Sequence, residues 1–375
     1  ISAYSNITLT TTFTQKTIVM KTKFLIGLCV GLALVSSFTT PASAKEVKKI
    51  ITRTFPISTQ SIVEINNTFG NIVIAEGERS VVDFKIEITG TGLDQATAQR
   101  MVDRASVDFE QNGNRITART TIANTNENCS NCKVTINYLV LVPSSSVHLD
   151  LTNKFGNIDI KTTPKLNFTT NLQFGNLTAG NLQGSNNNIT VKFGNCTLGE
   201  APALTATCGY GKVNINQIGT ADLNISFGSL TATSIDNLTL QTKYSGITVT
   251  NLNNLKGSSS FSKLKITNLV KQCDLRSAQY GSINIDKCSP KLEQIRIGAS
   301  FCNVTIGMLS QISAQATLYN RFGNINLSGL QISPNAVNND RDKFTKSFNG
   351  TIGSKGSHFA TINISNSYAD ITLKP

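Results

Sequence analysis

Phe155-Gly156-Asn157-Ile158-Asp159-Ile160 is a short segment that this chain repeats. It returns as Phe174-Gly175-Asn176-Leu177 and Phe193-Gly194-Asn195-Cys196. Variants follow as Tyr210-Gly211-Lys212-Val213, Phe227-Gly228-Ser229-Leu230, Tyr244-Ser245-Gly246-Ile247 and Phe261-Ser262-Lys263-Leu264. Tyr280-Gly281-Ser282-Ile283, Phe301-Cys302-Asn303-Val304 and Phe322-Gly323-Asn324-Ile325 come next, and Phe348-Asn349-Gly350 and Tyr368-Ala369-Asp370-Ile371 close the series. Phe69-Gly70-Asn71-Ile72 is an isolated early copy. From Phe155 on, the aromatics stand 17 to 21 residues apart, with one gap of 26 before Phe348. A near-constant period of this length marks a repeat architecture. One unit is too small to bury its own apolar face, so units must stack.

Phasing the chain on the aromatic gives its strands. Three and five residues later stand Ile158 and Ile160, Val213 and Ile215, Ile247 and Val249, Leu264 and Ile266, Ile283 and Ile285. This alternation marks a strand with one buried face. Before the aromatic, Leu223 and Ile225 lead to Phe227, and Ile189 and Val191 lead to Phe193, in the same two-residue step. On that parity the rings point inward. A third apolar column lies eight residues after the ring: Leu182, Ile218, Ile235, Leu252, Leu269, Cys288, Leu309 and Leu330. Gly in the second place is expected to take positive φ and turn the chain. Asn in the third place is expected to bond backbone at the corner and to stack into a ladder. The predicted fold is all-β, a parallel β-solenoid of about twelve coils. Its coils would lie about 4.8 Å apart, giving a rod on the order of 55 Å long. Leu275 falls out of step with Tyr280, which predicts a bulge. The 26-residue gap predicts a protruding loop at 334–343.

Residues 45–148 read differently from the repeats at 149–375. Strands are expected at Val81–Thr89, Arg115–Ile122 and Val134–Val142. One helix is expected from Asp94 to Ala105, capped by Asp94 and burying Ala98, Met101, Val102 and Ala105. This section would cap the first coil, because an open β end invites aggregation. Upstream, Lys21 and Lys23 precede an apolar run from Phe24 to Val35, and Ala42-Ser43-Ala44 precedes Lys45. Residues 20–44 therefore read as a secretory signal peptide cleaved after Ala44. The run is too short for a transmembrane helix, and Leu28 before Cys29 disfavours lipidation. Residue 1 is not Met, and residues 1–19 are expected to be an upstream extension. The chain closes on a strand at 371–375, with no anchor expected after it. Periplasm, cell surface and secretion all fit.

The formal charge of the chain is +12, and residues 1–44 contribute three Lys and no acid, which leaves +9. A basic exported chain can meet acidic polysaccharide, lipid head groups or extracellular DNA. Here the basic residues read as scattered over a solvated surface, with no expected intracellular nucleic-acid partner. Seven Cys remain after residue 44, a poor disulfide framework. Cys129 and Cys132 are either a local disulfide or two idle thiols, and the others fall on apolar positions as small core residues.

The Phe69-Gly70-Asn71-Ile72 strand, the single helix and a strand ending in Val142-Pro143 precede the Phe-Gly-Asn coils. Together they resemble the families named as adhesins in Bacteroidetes-type bacteria, the head GIN domain and β-strand-repeat exported proteins. The resemblance covers most of residues 55–375. It implies an exported β-solenoid with an adhesive role, and it offers no catalytic residues to carry over.

A search for chemistry leaves the same reading. Asp159, Asp236, Asp286 and Asp370 fall at different places relative to the aromatic, so no paired carboxylates line one cleft. Asn338, Asp340 and Asp342 alternate as in a calcium loop but lack its Gly and distal Glu. No phosphate-binding Gly loop is present, because the glycines sit at strand corners. No cofactor, metal site or enzymatic activity is expected. The expected function is binding of a glycan or envelope protein through the Thr/Asn/Ser/Lys faces. A structural envelope protein without ligand and a polysaccharide-active enzyme are the alternatives.

Overall fold

The structure is a computed structural model and describes residues 44–124, 129, 131–307, 312–333, 337–340, 343–353 and 359–375. The expected signal peptide, Cys29, Leu309, Pro334, Asp342 and His358 lie outside these residues. The described chain is all-β apart from one helix, and its strands form one 24-stranded mixed sheet that does not close.

Over the repeats the pairing is parallel, and its register equals the sequence period. Asn187 pairs with Phe168, Leu230 with Val213, and Val304 with Ile283, offsets of 19, 17 and 21 residues. The strand Lys212–Ser226 pairs along its length with Ser229–Lys243, which pairs with Gly246–Ser260. In one repeat Val213, Ile215, Ile218, Leu223 and Ile225 are all buried. So are Leu182, Ile235, Leu252, Leu269 and Cys288 of the third column, while Leu330 is partly buried. The bulge expected near Leu275 is present as register shifts at Gly257/Ser258 and at Leu275/Ala278.

The sheet is mixed in part because residues 45–148, whose pairing directions the sequence left open, add antiparallel strands to it. Lys45–Pro56, a strand the sequence reading missed, runs antiparallel to Val81–Gly92, which runs antiparallel to Lys133–Val142. Ala105–Asn112 forms a hairpin with Arg115–Ile122. Arg115–Ile122 also pairs parallel with Ser61–Phe69, and Lys133–Val142 with Ile72–Glu76. These two strands occupy the place of a rung ahead of the first repeat. Antiparallel hairpins need only short turns, so they can cover a sheet edge with few residues. The helix spans Gln95–Asp103, with the Asp94 carboxylate accepting from the Thr97 amide at 2.6 Å and Ala98, Met101 and Val102 buried. The Ala105 end of the expected helix is the start of a strand.

The C-terminal order also departs from the expected series. Gln294–Gly307 pairs with Phe359–Ser367 and Ile371–Lys374, so the last strands lie between it and Ser313–Arg321. Ser313–Arg321 pairs on its other side, antiparallel, with Thr345–Ile352. In the segment expected to be a loop, Val337–Asp340 is a strand paired antiparallel with Thr345–Ile352. Phe348, expected at a corner, is fully buried in the core.

Cys129 and Cys132 are bonded, with Cα atoms 5.6 Å apart. The other five described cysteines are buried. Burial pushes the Cys288 thiol up to about 12 and that of Cys302 up to about 11, which keeps both in the unreactive protonated form.

Candidate functional site

The corner aromatics face outward, contrary to the parity reading. Phe174, Phe193, Tyr210, Phe227, Tyr244, Phe261, Tyr280, Phe301, Phe322 and Tyr368 are each 41–54% exposed. The cause is local. Each of these residues has φ between 50° and 61°, in the left-handed region. Alternation of faces holds only along extended backbone, so a left-handed residue throws its own side chain out of the inward set. The signal was present in the sequence. Ile225 and Leu230 are both buried and stand five apart, an odd number, so one residue between them must break the alternation.

The glycines have a different task from the one expected. Positive φ falls on glycine only in the first two copies, Gly70 at 127° and Gly156 at 136°. From Phe174 onward the ring residue carries it, and the next glycine is needed for close approach. A Cβ on Gly194 would stand 1.7 Å from the Gly175 carbonyl oxygen. The Asn column does stack. The amides of Asn157, Asn176 and Asn195 donate to the side-chain oxygens of Asn71, Asn157 and Asn176 at 2.9–3.0 Å, and the Lys212 amide donates to Asn195. At the far end the Asp370 amide donates to Asn303, and the Asn324 amide to the Asp370 carboxylate.

The rings form one ladder, in the order Phe69, Phe155, Phe174, Phe193, Tyr210, Phe227, Tyr244, Phe261, Tyr280, Phe301, Tyr368, Phe322, Phe344. From Phe69 to Phe322 neighbouring centroids are 4.5–5.1 Å apart and the planes within 18°. Phe344 ends the row 5.5 Å from Phe322. The step matches the spacing of paired strands, and offset stacking at this distance is the favoured geometry. Each inner ring is held between two others, so its edge, rather than its face, meets solvent.

Stacking offsets the strain of a non-glycine residue at positive φ, which costs about 1–2 kcal/mol. Phe227 has ring neighbours at 4.9 and 5.0 Å. Phe227→Ala keeps the strain and loses both contacts, so we expect a loss of about 1–3 kcal/mol. Phe227→Gly should lose less, by roughly 1 kcal/mol, because glycine removes the strain. Urea unfolding of the two variants checks the order, and a larger loss for glycine would contradict it.

Basic residues border the ladder. Lys154, Lys192, Lys243, Arg321 and Lys343 immediately precede a ring, and Lys212, Lys263 and Lys346 follow one by two places. Asp370 is the single acid in those two columns. Lys154 and Lys243 lie 5.5 Å, and Arg321 4.9 Å, from the centroids of the rings they precede. The sequence reading missed this alignment because it judged the charges along the chain rather than by repeat position.

Two of the cavities among the described residues hold charged side chains worth comparing with the ladder. One of about 580 Å³ opens at the first ring, bounded by Phe69, Met101, Arg104, Ile122 and Lys133. The Arg104 guanidinium there donates to the Ala123 carbonyl at 3.0 and 3.1 Å. A second, of about 610 Å³, brings together Lys256, Lys271, Asp274 and Glu293, which the sequence reading left apart. Arg276 holds Asp274 at 2.9 Å and Gln272 donates to Glu293 at 2.7 Å, so both carboxylates are already engaged. Asp340, from the calcium-like spacing, pairs with Lys343 at 3.4 Å. His148 accepts from the Asn167 amide at 3.3 Å. No cluster of three metal-ligating side chains occurs among the described residues.

No family model matches the chain, and no curated protein matches it in sequence. Solved structures do. A "putative adhesin" from Parabacteroides merdae is 10% identical, with a TM-score of 0.33 over 87% of this chain and 97% of that one. A "putative adhesin" from Bacteroides fragilis is 12% identical, with a TM-score of 0.25 over 87% and 97%. A "putative cell adhesion protein" from Clostridium sporogenes is 10% identical, with a TM-score of 0.22 over 88% and 99%.

Proposed function

We propose that this chain is an exported, adhesin-like β-solenoid that binds a component of a cell surface along its aromatic ladder. Parallel registers equal to the sequence period support the solenoid. The strands Arg115–Ile122 and Lys133–Val142, lying as a rung ahead of Phe69, support a capping role for 45–148. The binding face differs from the polar faces expected from sequence.

One observation carries the reading. Half-exposed aromatic side chains each leave on the order of 100 Å² outside, so the ladder exposes roughly 1,000 Å² of contiguous ring surface. A monomer's largest apolar patch is typically about 300–600 Å², and larger ones mark interaction sites. Export rests on residues 20–44. No described helix is long and apolar enough to cross a membrane.

The test is binding of the purified full chain to bacterial cells. Asn tolerates left-handed backbone, so Phe193→Asn, Phe227→Asn and Phe261→Asn combined should blunt the ridge and keep the turns. We expect at least a roughly ten-fold loss of cell binding with cooperative thermal unfolding retained. Undiminished binding by a folded variant would refute the ladder as the binding face.

A further inference from the structure

We infer that the partner of the ladder is an anionic lipid surface, met edge-on by the rings and flanked by the basic residues; the inference rests on the ladder being a binding face. The rings exclude one partner by their packing. Sugars are held by stacking on ring faces, and here each inner face is covered by a neighbour at 4.5–5.1 Å. What remains outside is a line of apolar C–H edges and the outer ends of Tyr210, Tyr244, Tyr280 and Tyr368. Aromatic rings with an apolar body and a polar tip favour the membrane interface.

Charge narrows the partner further. Eight cations and one acid stand in the two columns beside the rings. Lys154, Lys192, Lys212, Lys243 and Lys263 border the stretch from Phe155 to Phe261, with no acid in those columns there. None of these five, nor Arg321, has a carboxylate partner among the described residues, whereas Lys343 is paired with Asp340. A second copy of the chain would bring like charges together and is disfavoured. An acidic polysaccharide would satisfy the cations but leave the ring edges in water. An anionic lipid surface satisfies both, apolar edges entering the headgroup boundary and cations facing phosphate.

The experiment is co-sedimentation of the full chain with vesicles of phosphatidylcholine, with and without about 30% phosphatidylglycerol. The chain has no Trp, and Tyr210, Tyr244, Tyr280 and Tyr368 are four of its seven Tyr, so a change in tyrosine emission accompanies burial of the ladder. We expect at least about ten-fold tighter binding to anionic vesicles, weakened by salt. Lys192→Glu, Lys243→Glu and Lys263→Glu combined should lower it by about ten-fold or more. The ring variant Phe193→Asn, Phe227→Asn, Phe261→Asn should do the same. A matched reversal away from the ladder, Lys85→Glu, Lys256→Glu and Lys271→Glu, should keep most of the binding. Equal binding to both vesicle types, or equal binding by all variants, overturns the inference. If ring substitutions abolish cell binding while vesicles are not bound and polygalacturonate is, the lipid partner falls and the ladder stands. If cells, vesicles and polygalacturonate are all left unbound, both fall.

Discussion

Replacing Gly194 by alanine is expected to leave little folded protein, a loss of more than about 4 kcal/mol. The added Cβ would stand 1.7 Å from the Gly175 carbonyl oxygen and 2.7 Å from its carbon. Those are backbone atoms of a paired rung, so no side chain can swing aside. Relief would need the two rungs to move apart, yet the strands on both sides of the corner are paired, Phe168–Gln173 with Asn187–Lys192 and Leu177–Ala179 with Cys196–Leu198. Gly211 repeats the constraint, its Cβ falling 1.8 Å from the Gly194 oxygen, so one shift would propagate to the next rung. Ser245 is the internal control. It occupies the same place, and its buried hydroxyl donates to the Lys243 carbonyl at 2.8 Å and accepts from the Gly228 amide at 3.3 Å. Ser245→Ala should cost only about 1–2 kcal/mol, for lost hydrogen bonds. Equilibrium unfolding of the two variants compares them. A Gly194→Ala protein within about 1 kcal/mol of the parent would mean that the corner relaxes freely.

The second large effect separates two phenylalanines four residues apart. Phe348 is fully buried, on a strand paired between Ser313–Arg321 and Val337–Asp340. Phe348→Ala is expected to cost about 3–5 kcal/mol, for lost burial and the cavity left behind. Phe344 is 65% exposed and touches a single ladder ring, Phe322, at 5.5 Å. Phe344→Ala is expected to cost under about 1 kcal/mol, the value of one exposed stack. The contrast bears on how the repeat is assigned, because the sequence period alone places Phe348 at the corner. A reversed order of the two losses in thermal or urea unfolding would return Phe348 to the ladder.

Much of the interior was legible from sequence. The inward columns at Val213, Ile215 and Ile218 could be read because alternation within a strand is local, and so could the Asp94 cap, because a cap involves residues three apart. The Leu275 bulge was legible as a broken step. The direction of the rings was misread, although the odd spacing between Ile225 and Leu230 held the answer. The error assumed extended backbone through a turn. The site built on those rings was therefore assigned to the core.

Sequence by itself determined that the chain is all-β, that its strands recur with a period near 17–21 residues, and which aliphatic columns are buried. Each of these is set by interactions within one repeat. The tertiary structure alone decided that Tyr368 stacks between Phe301 and Phe322, and that Arg115–Ile122 and Lys133–Val142 precede Phe69 in the stack. It also brought Lys154, Lys192, Lys212, Lys243 and Lys263 into one border, from positions spread over 109 residues. Rung order is a competition between strand edges far apart in the chain. Any repeat offers nearly the same edge to any other, so the local pattern that makes strands carries no record of which edges finally meet.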